Sequence, residues 1–394
     1  MPETEGAQFD AWKGLGAALD PRKGKLNLLL LAVPVAIYAE FVAHDPVMAF
    51  VASMIAIMPL AFLMGQATEE IALRTSESVG GLLNATFGNM AELIIASIAI
   101  FAAAKAYGDG DLKAGDELVD VVRFSLIGSI LGNLLLVLGL AIVWGGVHHK
   151  VQSFSPTAVG ANGSLLLLAV ITLTIPTAFV LTTADKELAE AGVLTLSHAA
   201  AFILIALYGL FLLFQLRTHH DLFATDGVHE EEEEEEEESH MSKREATVLL
   251  IGATVMVAWM AEILVSSISE GADALDPSPL FIGVILLPLF GNAAEHFTAV
   301  SVAAKDKMDL SFAIAVGSST QIAVFVAPLM VLLAWTQGVD LTFNFGLFGT
   351  IAVFLAVLIT NAIAADGKSN WLEGAMLLGT YAILGIAFFL IPYP

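Results

Sequence analysis

Phe87-Gly88-Asn89-Met90-Ala91-Glu92 and, 203 residues further on, Phe290-Gly291-Asn292-Ala293-Ala294-Glu295 carry one pattern twice. Both copies sit inside long apolar stretches, where an ionisable side chain is costly and marks a functional position. In each, Asn and Glu are three residues apart, which on a helix places amide and carboxylate on one face. Gly88 and Gly291 precede the pairs, where a residue without Cβ lets the chain bend or another backbone approach. Two buried carboxylates in the same local context read as two halves of one site.

Apolar runs of this kind recur from end to end. Over 394 residues, 57% are hydrophobic, 14% are charged and none is Cys. No soluble core needs so much apolar sequence, so the chain reads as an all-α polytopic membrane protein. Without Cys there is no disulfide framework, thiol nucleophile or cysteine-ligated metal. A cleaved signal peptide is not expected, because the first 25 residues are polar and mixed in charge. Of the formal charge of −24, nine units come from one Glu run at 230–238, leaving −15. That acidic balance argues against nucleic-acid partners and suits a protein that attracts cations.

Eleven spans follow from the apolar pattern, near 26–43, 47–67, 83–104, 122–144, 163–183, 192–216, 246–268, 279–303, 310–335, 343–363 and 371–391. Most reach the roughly 20 residues that a helix needs to cross hydrocarbon. Loop cations set the orientation. With the N-terminus in the cytoplasm, that side holds Lys13, Arg22, Lys23, Lys25, Arg74, Lys150, Arg217, Lys243, Arg244, Lys305, Lys307 and Lys368. The far side, where the C-terminus lies, holds Lys105, Lys113, Arg123 and Lys186.

The duplication extends beyond the opening motif. Phe124-Ser125-Leu126-Ile127-Gly128-Ser129-Ile130-Leu131-Gly132-Asn133 follows the first Glu, and Phe312-Ala313-Ile314-Ala315-Val316-Gly317-Ser318-Ser319-Thr320-Gln321 follows the second. Ahead of them, Glu69-Glu70-Ile71 loosely matches Ala261-Glu262-Ile263. The reading is a cytoplasmic arm at 1–25, an extra first helix at 26–45, one five-helix repeat at 46–217, an acidic linker at 218–244 and a second repeat at 245–394. Five is odd, so the halves cross the membrane in opposite senses. Inverted repeats with the site at their interface are an architecture of secondary transporters. The linker carries Glu230, Glu231, Glu232, Glu233, Glu234, Glu235, Glu236, Glu237 and Glu238. Such a block is commonly a solvated stretch, and it is also a candidate for collecting cations.

Glu92 and Glu295, with amide oxygens from Asn89 and Asn292, make a doubly anionic oxygen cage. Gly88, Gly291, Ser129, Asn133, Ser318 and Gln321 are the candidate lining. Hard cations want such ligands: Ca²⁺ takes about 6–8 oxygens in flexible geometry, whereas Mg²⁺ needs a tighter octahedron. Soft metals would require Cys or clustered His. Protons follow from the same side chains, because desolvated neighbouring carboxylates favour protonation. Two protonated Glu, or two ionised Glu around one divalent cation, are both near neutral, so competition alone yields cation/proton antiport. Glu70, Glu262 and His296 are candidates to relay protons or mark the ion's way in and out. Enzyme readings find little support. Gly108-Asp109-Gly110-Asp111 spells the Gly-x-Gly-Asp of membrane aspartyl proteases, but in a polar loop and without its Tyr-Asp partner. There is no Gly-x-Ser-x-Gly and no His-Glu-x-x-His. A channel would use the same carboxylates, and the duplication favours alternating access.

Gly291-Asn292-Ala293-Ala294-Glu295-His296 with Gly317-Ser318-Ser319-Thr320-Gln321 resembles the second signature region of the CAX family of Ca²⁺/H⁺ exchangers, and Gly88-Asn89-Met90-Ala91-Glu92 the first. The resemblance spans about 30–391. It implies eleven helices, an acidic segment between the halves, and Ca²⁺ leaving the cytosol against H⁺, with no cofactor. It also implies that Glu92 and Glu295 bind the cation, that Asn89 and Asn292 assist, and that Glu70 and Glu262 lie on the ion's route. Related Na⁺/Ca²⁺ exchangers carry Pro directly before the acidic residue in one repeat. Ala91 and Ala294 stand there in this chain, so Na⁺ is the alternative counter-ion. Without the long N-terminal arm of some plant vacuolar members, a prokaryotic cell membrane is the expected location.

Overall fold

The eleven apolar runs of the sequence correspond to ten unbroken helices and one bent helix pair among the described residues. A computed structural model describes residues 13–20, 25–75, 83, 86–218, 241–268 and 278–391. Among the described residues, ten helices are long and apolar enough to cross a membrane: Leu26–Ala43, Pro46–Ala72, Met90–Asp109, Leu112–His148, Asn162–Thr182, Lys186–Leu213, Lys243–Ser266, Met308–Thr336, Gly346–Ala364 and Trp371–Leu390. An eleventh is the broken pair Pro279–Gly291 and Ala293–Ala304, bent by 58°. In chain order these are spans 1 to 11, with the broken pair as span 8. The Glu230–Glu238 run lies outside the described residues.

Span 4 shows why apolarity alone misplaces helix ends. The apolar run begins near 122, yet the helix begins at Leu112 and is 37 residues long. Its first three turns are charged and self-pairing: Lys113 meets Glu117 at 3.3 Å, and Arg123 pairs with Asp120. Pairs three or four residues apart support a helix that has left the apolar layer. At about 1.5 Å per residue the helix outruns a roughly 30 Å hydrocarbon core by nearly half its length.

Loop contacts fix which ends share a side. Gln152-Ser153, after span 4, pairs as a two-residue strand with Lys368-Ser369, after span 10. Gln152 Nε2 also donates to Ala303 O (2.8 Å) and Asp306 Oδ1 (2.9 Å), at the end of span 8. Arg74, after span 2, donates to Met241 O just ahead of span 7. Gly14 and Leu15 N–H donate to Glu245 Oε1 at the start of span 7. At the other face, Thr177 Oγ1 donates to Phe343 O, and Ser197 Oγ accepts from Phe343 N. Each contact joins ends that alternate crossing puts together.

The packing is that of two inverted halves, spans 2–6 and 7–11. Spans 2 and 7 pack against each other, as do spans 5 and 10. The pairs 4–8, 4–11 and 5–9 have mirror counterparts in 9–3, 9–6 and 10–4, and span 8 against span 2 mirrors span 3 against span 7. Span 1 lies outside this scheme, against span 2. Spans 2, 4 and 9 are the most enclosed, and spans 1 and 11 the least.

Close backbone approach holds span 4 to span 8. A Cβ on Gly128 would lie 2.5 Å from Val284 O, and one on Gly283 would lie 2.8 Å from Val121 O. Small residues at such contacts are the usual device for membrane helices, which have no water to drive them together. Gly128 therefore packs, whereas Gly317, its counterpart, meets nothing within 4 Å.

Candidate cation site at the helix breaks

Both signature motifs interrupt a helix: Gly88-Asn89 form a turn ahead of Met90–Asp109, and the second motif holds the bend of span 8. Asn89 and Asn292 precede the helices Met90–Asp109 and Ala293–Ala304 with nearly the same backbone angles, φ −97° ψ 18° and φ −97° ψ 14°. Glu92 and Glu295 are in the first turns of those helices. Their N-terminal amides are the positive ends of helix dipoles, which favours a carboxylate there. Because spans 3 and 8 run in opposite senses, the two helix starts converge from opposite directions. The bend falls at Asn292, between Gly291 and Ala293. Pro288 fits within the short helix Leu287–Gly291 without causing it, and its carbonyl accepts from Asn292 N at 3.1 Å. A Cβ on Gly291 would meet nothing within 4 Å, so no close backbone contact requires that glycine.

Spans 4 and 9 supply the rest of the polar set. Ser318 Oγ donates to Glu295 Oε2 at 2.8 Å and stands 3.2 Å from Asn89 Oδ1. Asn133 Nδ2 donates to Ser318 Oγ at 3.0 Å and reaches Glu295 Oε2 at 3.4 Å. Asn89 Nδ2 donates to Gln321 Oε1 at 2.6 Å, which turns its own Oδ1 toward Ser318. Ser129 and Asn292 lie beside the Glu92 carboxylate, and Glu92 is close enough to Glu295 for their charges to interact. Yet Glu92 Oε1, Asn292 Nδ2 and Asn133 Oδ1 are buried without a hydrogen-bond partner of standard geometry. A buried oxygen left unpaired is costly. Two of these three atoms are oxygens that a cation would satisfy.

Asn89, Asn133, Ser129, Ser318 and Asn292 are all buried, while Glu92, Glu295 and Gln321 retain partial accessibility. No described group of three or more His, Cys, Asp and Glu is placed to hold a metal. A cation at this position would thus complete its shell with amide, hydroxyl, backbone or water oxygen, as hard cations do.

The structure gathers Asn89, Glu92, Ser129, Asn133, Asn292, Glu295, Ser318 and Gln321 at one place. Three other sequence candidates sit apart from that network. His296 follows Glu295 but is buried, with its Nε2 unpartnered. Glu70 is buried at the end of span 2 and pairs with Arg74 at 2.9 Å. Glu262 is exposed at the far end of span 7. One feature of the site has no clear sequence signal: π-helical turns at Gly132–Val137 in span 4 and Ile322–Val326 in span 9. Such turns cluster at functional positions. Asn133 is inside the first, whereas Gln321 directly precedes the second. That one-residue offset matches the unequal spacing from Ser129 to Asn133 and from Ser318 to Gln321.

An inverted pair of five-helix halves with carboxylates at opposed helix breaks defines a secondary ion transporter, not an enzyme. The chain belongs to the sodium/calcium exchanger protein family, whose model matches residues 46–217 and 245–390. It is 44% identical over 373 residues to a Ca(2+)/H(+) antiporter of Aphanothece halophytica, covering 92% of this chain and 96% of that protein. Identity to a Ca(2+)/H(+) antiporter of Synechocystis sp. is also 44%, over 383 residues, 94% of this chain and 98% of the relative. The solved structure of native YfkE superposes with a TM-score of 0.76 at 36% identity, covering 93% of this chain and 100% of that one. The H+/Ca2+ exchanger CAX shares the fold, with a TM-score of 0.68 at 17% identity over 95% and 90% of the two chains.

Proposed function

We propose that this chain exchanges Ca²⁺ for H⁺ across a membrane by alternating access, with Glu92 and Glu295 as the shared binding pair near the middle of the layer. The supporting observation is the network at the breaks of spans 3 and 8. Two interacting carboxylates meet there, ringed by buried amide and hydroxyl groups, with two oxygens lacking a partner. The antiporter relatives from Aphanothece halophytica and Synechocystis sp., matched over nearly their whole lengths, support the same ions.

The chemistry follows from charge. Ca²⁺ between two ionised carboxylates is close to neutral, and so is the empty site with both carboxyls protonated. The doubly ionised empty site is costly to enclose in low dielectric. The conformational change therefore proceeds with Ca²⁺ or with protons bound, and this is what couples the two fluxes. Asn89 and Asn292 supply neutral ligand oxygens. Ser318 and Ser129 orient the two carboxylates, and Asn133 and Gln321 hold Ser318 and Asn89. His296, Glu70 and Glu262 serve the access routes. The N-terminal arm and acidic linker belong to the cytoplasmic face, and the linker carboxylates raise the local cation concentration. The membrane is that of a prokaryotic cell.

Ca²⁺ uptake into proteoliposomes under an imposed pH gradient, in Na⁺-free buffer, tests the reading with wild type and Glu295→Gln. Uptake that needs the gradient and disappears in the variant is the expected result. Uptake that ignores pH and follows a Na⁺ gradient moves the chain to Na⁺/Ca²⁺ exchange. Normal transport by Glu295→Gln removes the central site. Repeating the assay under a membrane potential counts charge, since each uncompensated charge is worth about 2.3 kcal/mol per 100 mV.

A further inference from the structure

The two repeats differ at the carboxylates flanking the site. Glu70, at the end of span 2, is buried, and its matching residue Glu262, at the end of span 7, is exposed. Four residues after Glu70 stands Arg74; four residues after Glu262 stands Ser266. On a helix that spacing is one turn and puts the second side chain over the first. Arg74 Nη1 lies 2.9 Å from Glu70 Oε2 and also donates to the Glu70 carbonyl, while Nη2 donates to Met241 O. Ser266 Oγ instead donates to Ile263 O at 3.0 Å. One guanidinium thus neutralises the buried carboxylate and ties the end of span 2 to the approach of span 7. Glu70 and Gln66 share a helix face, and Gln66 Oε1 is buried without a partner one turn toward the centre.

We propose that Arg74 is a tethered cation competing with the transported ion for Glu70, so that the face carrying Arg74 needs more Ca²⁺ than the other. The inference rests on the exchange reading above. A buried carboxylate must have a cationic or hydrogen-bonded companion. Glu70 has one built in, and an arriving cation must displace the guanidinium before that carboxylate can pass it onward. Glu262, exposed and followed by Ser266, has no such competitor among the described residues. Arg74 acts through Glu70 and is a positioning residue, separate from the central pair.

The test is initial-rate Ca²⁺ transport in everted and right-side-out membrane vesicles. The proteins are wild type, Arg74→Gln, Arg74→Lys, Glu70→Gln, Glu70→Gln/Arg74→Gln and Ser266→Arg, with thermal melting as the folding control. Arg74→Gln lowers the half-saturating Ca²⁺ about fivefold in one vesicle orientation, the scale of a modest ion pair. The other orientation is unchanged, and Arg74→Lys restores wild-type behaviour. The double variant matches Glu70→Gln, because the arginine acts through that carboxylate. Ser266→Arg raises half-saturation in the opposite orientation. A fall in maximal rate at unchanged half-saturation makes Arg74 a mere helix cap and overturns the proposal; so does an unchanged half-saturation in a folded Arg74→Gln. If Arg74→Gln does not fold, Ser266→Arg decides, and its failure to raise half-saturation is equally fatal. Glu295→Gln in the same vesicles separates the two readings: normal transport there sinks the central site, whatever Arg74 does.

Discussion

Around Glu295 the polar groups close on the carboxylate; around Glu92 they do not. Ser318 and Asn133 both donate toward Glu295 Oε2, and Ser318 also meets Asn89. Glu92 has Ser129 and Asn292 beside it, yet its Oε1 is unpartnered. The two motifs are nearly the same sequence and begin their helices with nearly the same dihedral angles. The difference must therefore come from what spans 4 and 9 place opposite them. A π-turn brings Asn133 toward the second repeat's Glu and Ser, whereas Gln321 turns to the first repeat's Asn. Pseudo-symmetry of sequence thus yields one carboxylate held by two side-chain donors and one with an oxygen left unpartnered.

The strongest way to break that comparison is to neutralise each carboxylate in turn. Glu92→Gln and Glu295→Gln should each lower Ca²⁺ flux about a hundredfold or more, a loss of about 2.7 kcal/mol of binding and coupling. Proteoliposome uptake checks it, and an active Glu92→Gln beside a dead Glu295→Gln would mean one carboxylate suffices. Next in size is pH. Metal binding to carboxylates releases protons, so acidification weakens it. Lowering pH by one unit at the binding face should raise half-saturating Ca²⁺ about tenfold if one proton leaves and about a hundredfold if two do. Transport titrated at several pH values reads that slope, and a slope of zero excludes proton competition.

A smaller contrast sets Gly128 against Gly317. Gly128→Ala forces a methyl against the Val284 backbone and should cost about 1–3 kcal/mol. Gly317→Ala has open space and should stay within about 0.5 kcal/mol of wild type. Thermal melting in detergent compares them, and equal melting points would mean that the tight 4–8 contact is absent in the membrane. The smallest effect sharpens the opening comparison. Ser318 joins three polar partners, so Ser318→Ala should raise half-saturating Ca²⁺ about fivefold, and Ser129→Ala about half as much on a logarithmic scale. The reverse order would place the tighter half-site at Glu92.

Several features could be read from the chain because each rests on a cost that holds whatever the neighbours do. A carboxylate inside an apolar run is expensive wherever the run packs, so Glu92 and Glu295 stand out before any fold is known. Backbone groups in hydrocarbon must be paired within their own segment, so the apolar runs had to be helices. An odd number of spans per repeat then dictates inversion. The doubled Gly-Asn-x-x-Glu motif also marked both interruptions to within a residue: Gly88 and Gly291 were the expected bends, and Asn89 and Asn292, directly after them, are the residues that leave helical angles.

Other features depended on which span faces which, and no local pattern carries that. Ser129 and Ser318 follow the same Gly, but only tertiary packing makes Gly128 a contact surface and leaves Gly317 beside open space. Asn133 and Gln321 looked like counterparts, and the π-turns send them to different partners. Glu70 and Glu262 matched in sequence, and burial separated them, because Arg74 and Met241 close over one end of the span 2–span 7 pair. The sequence by itself determined the helices, their inversion and the setting of Glu92 and Glu295 inside apolar runs, through desolvation costs that apply residue by residue. Only the tertiary structure decided which amide meets which carboxylate and where a neighbour fills the space, because those depend on distances between segments nearly 200 residues apart in the chain.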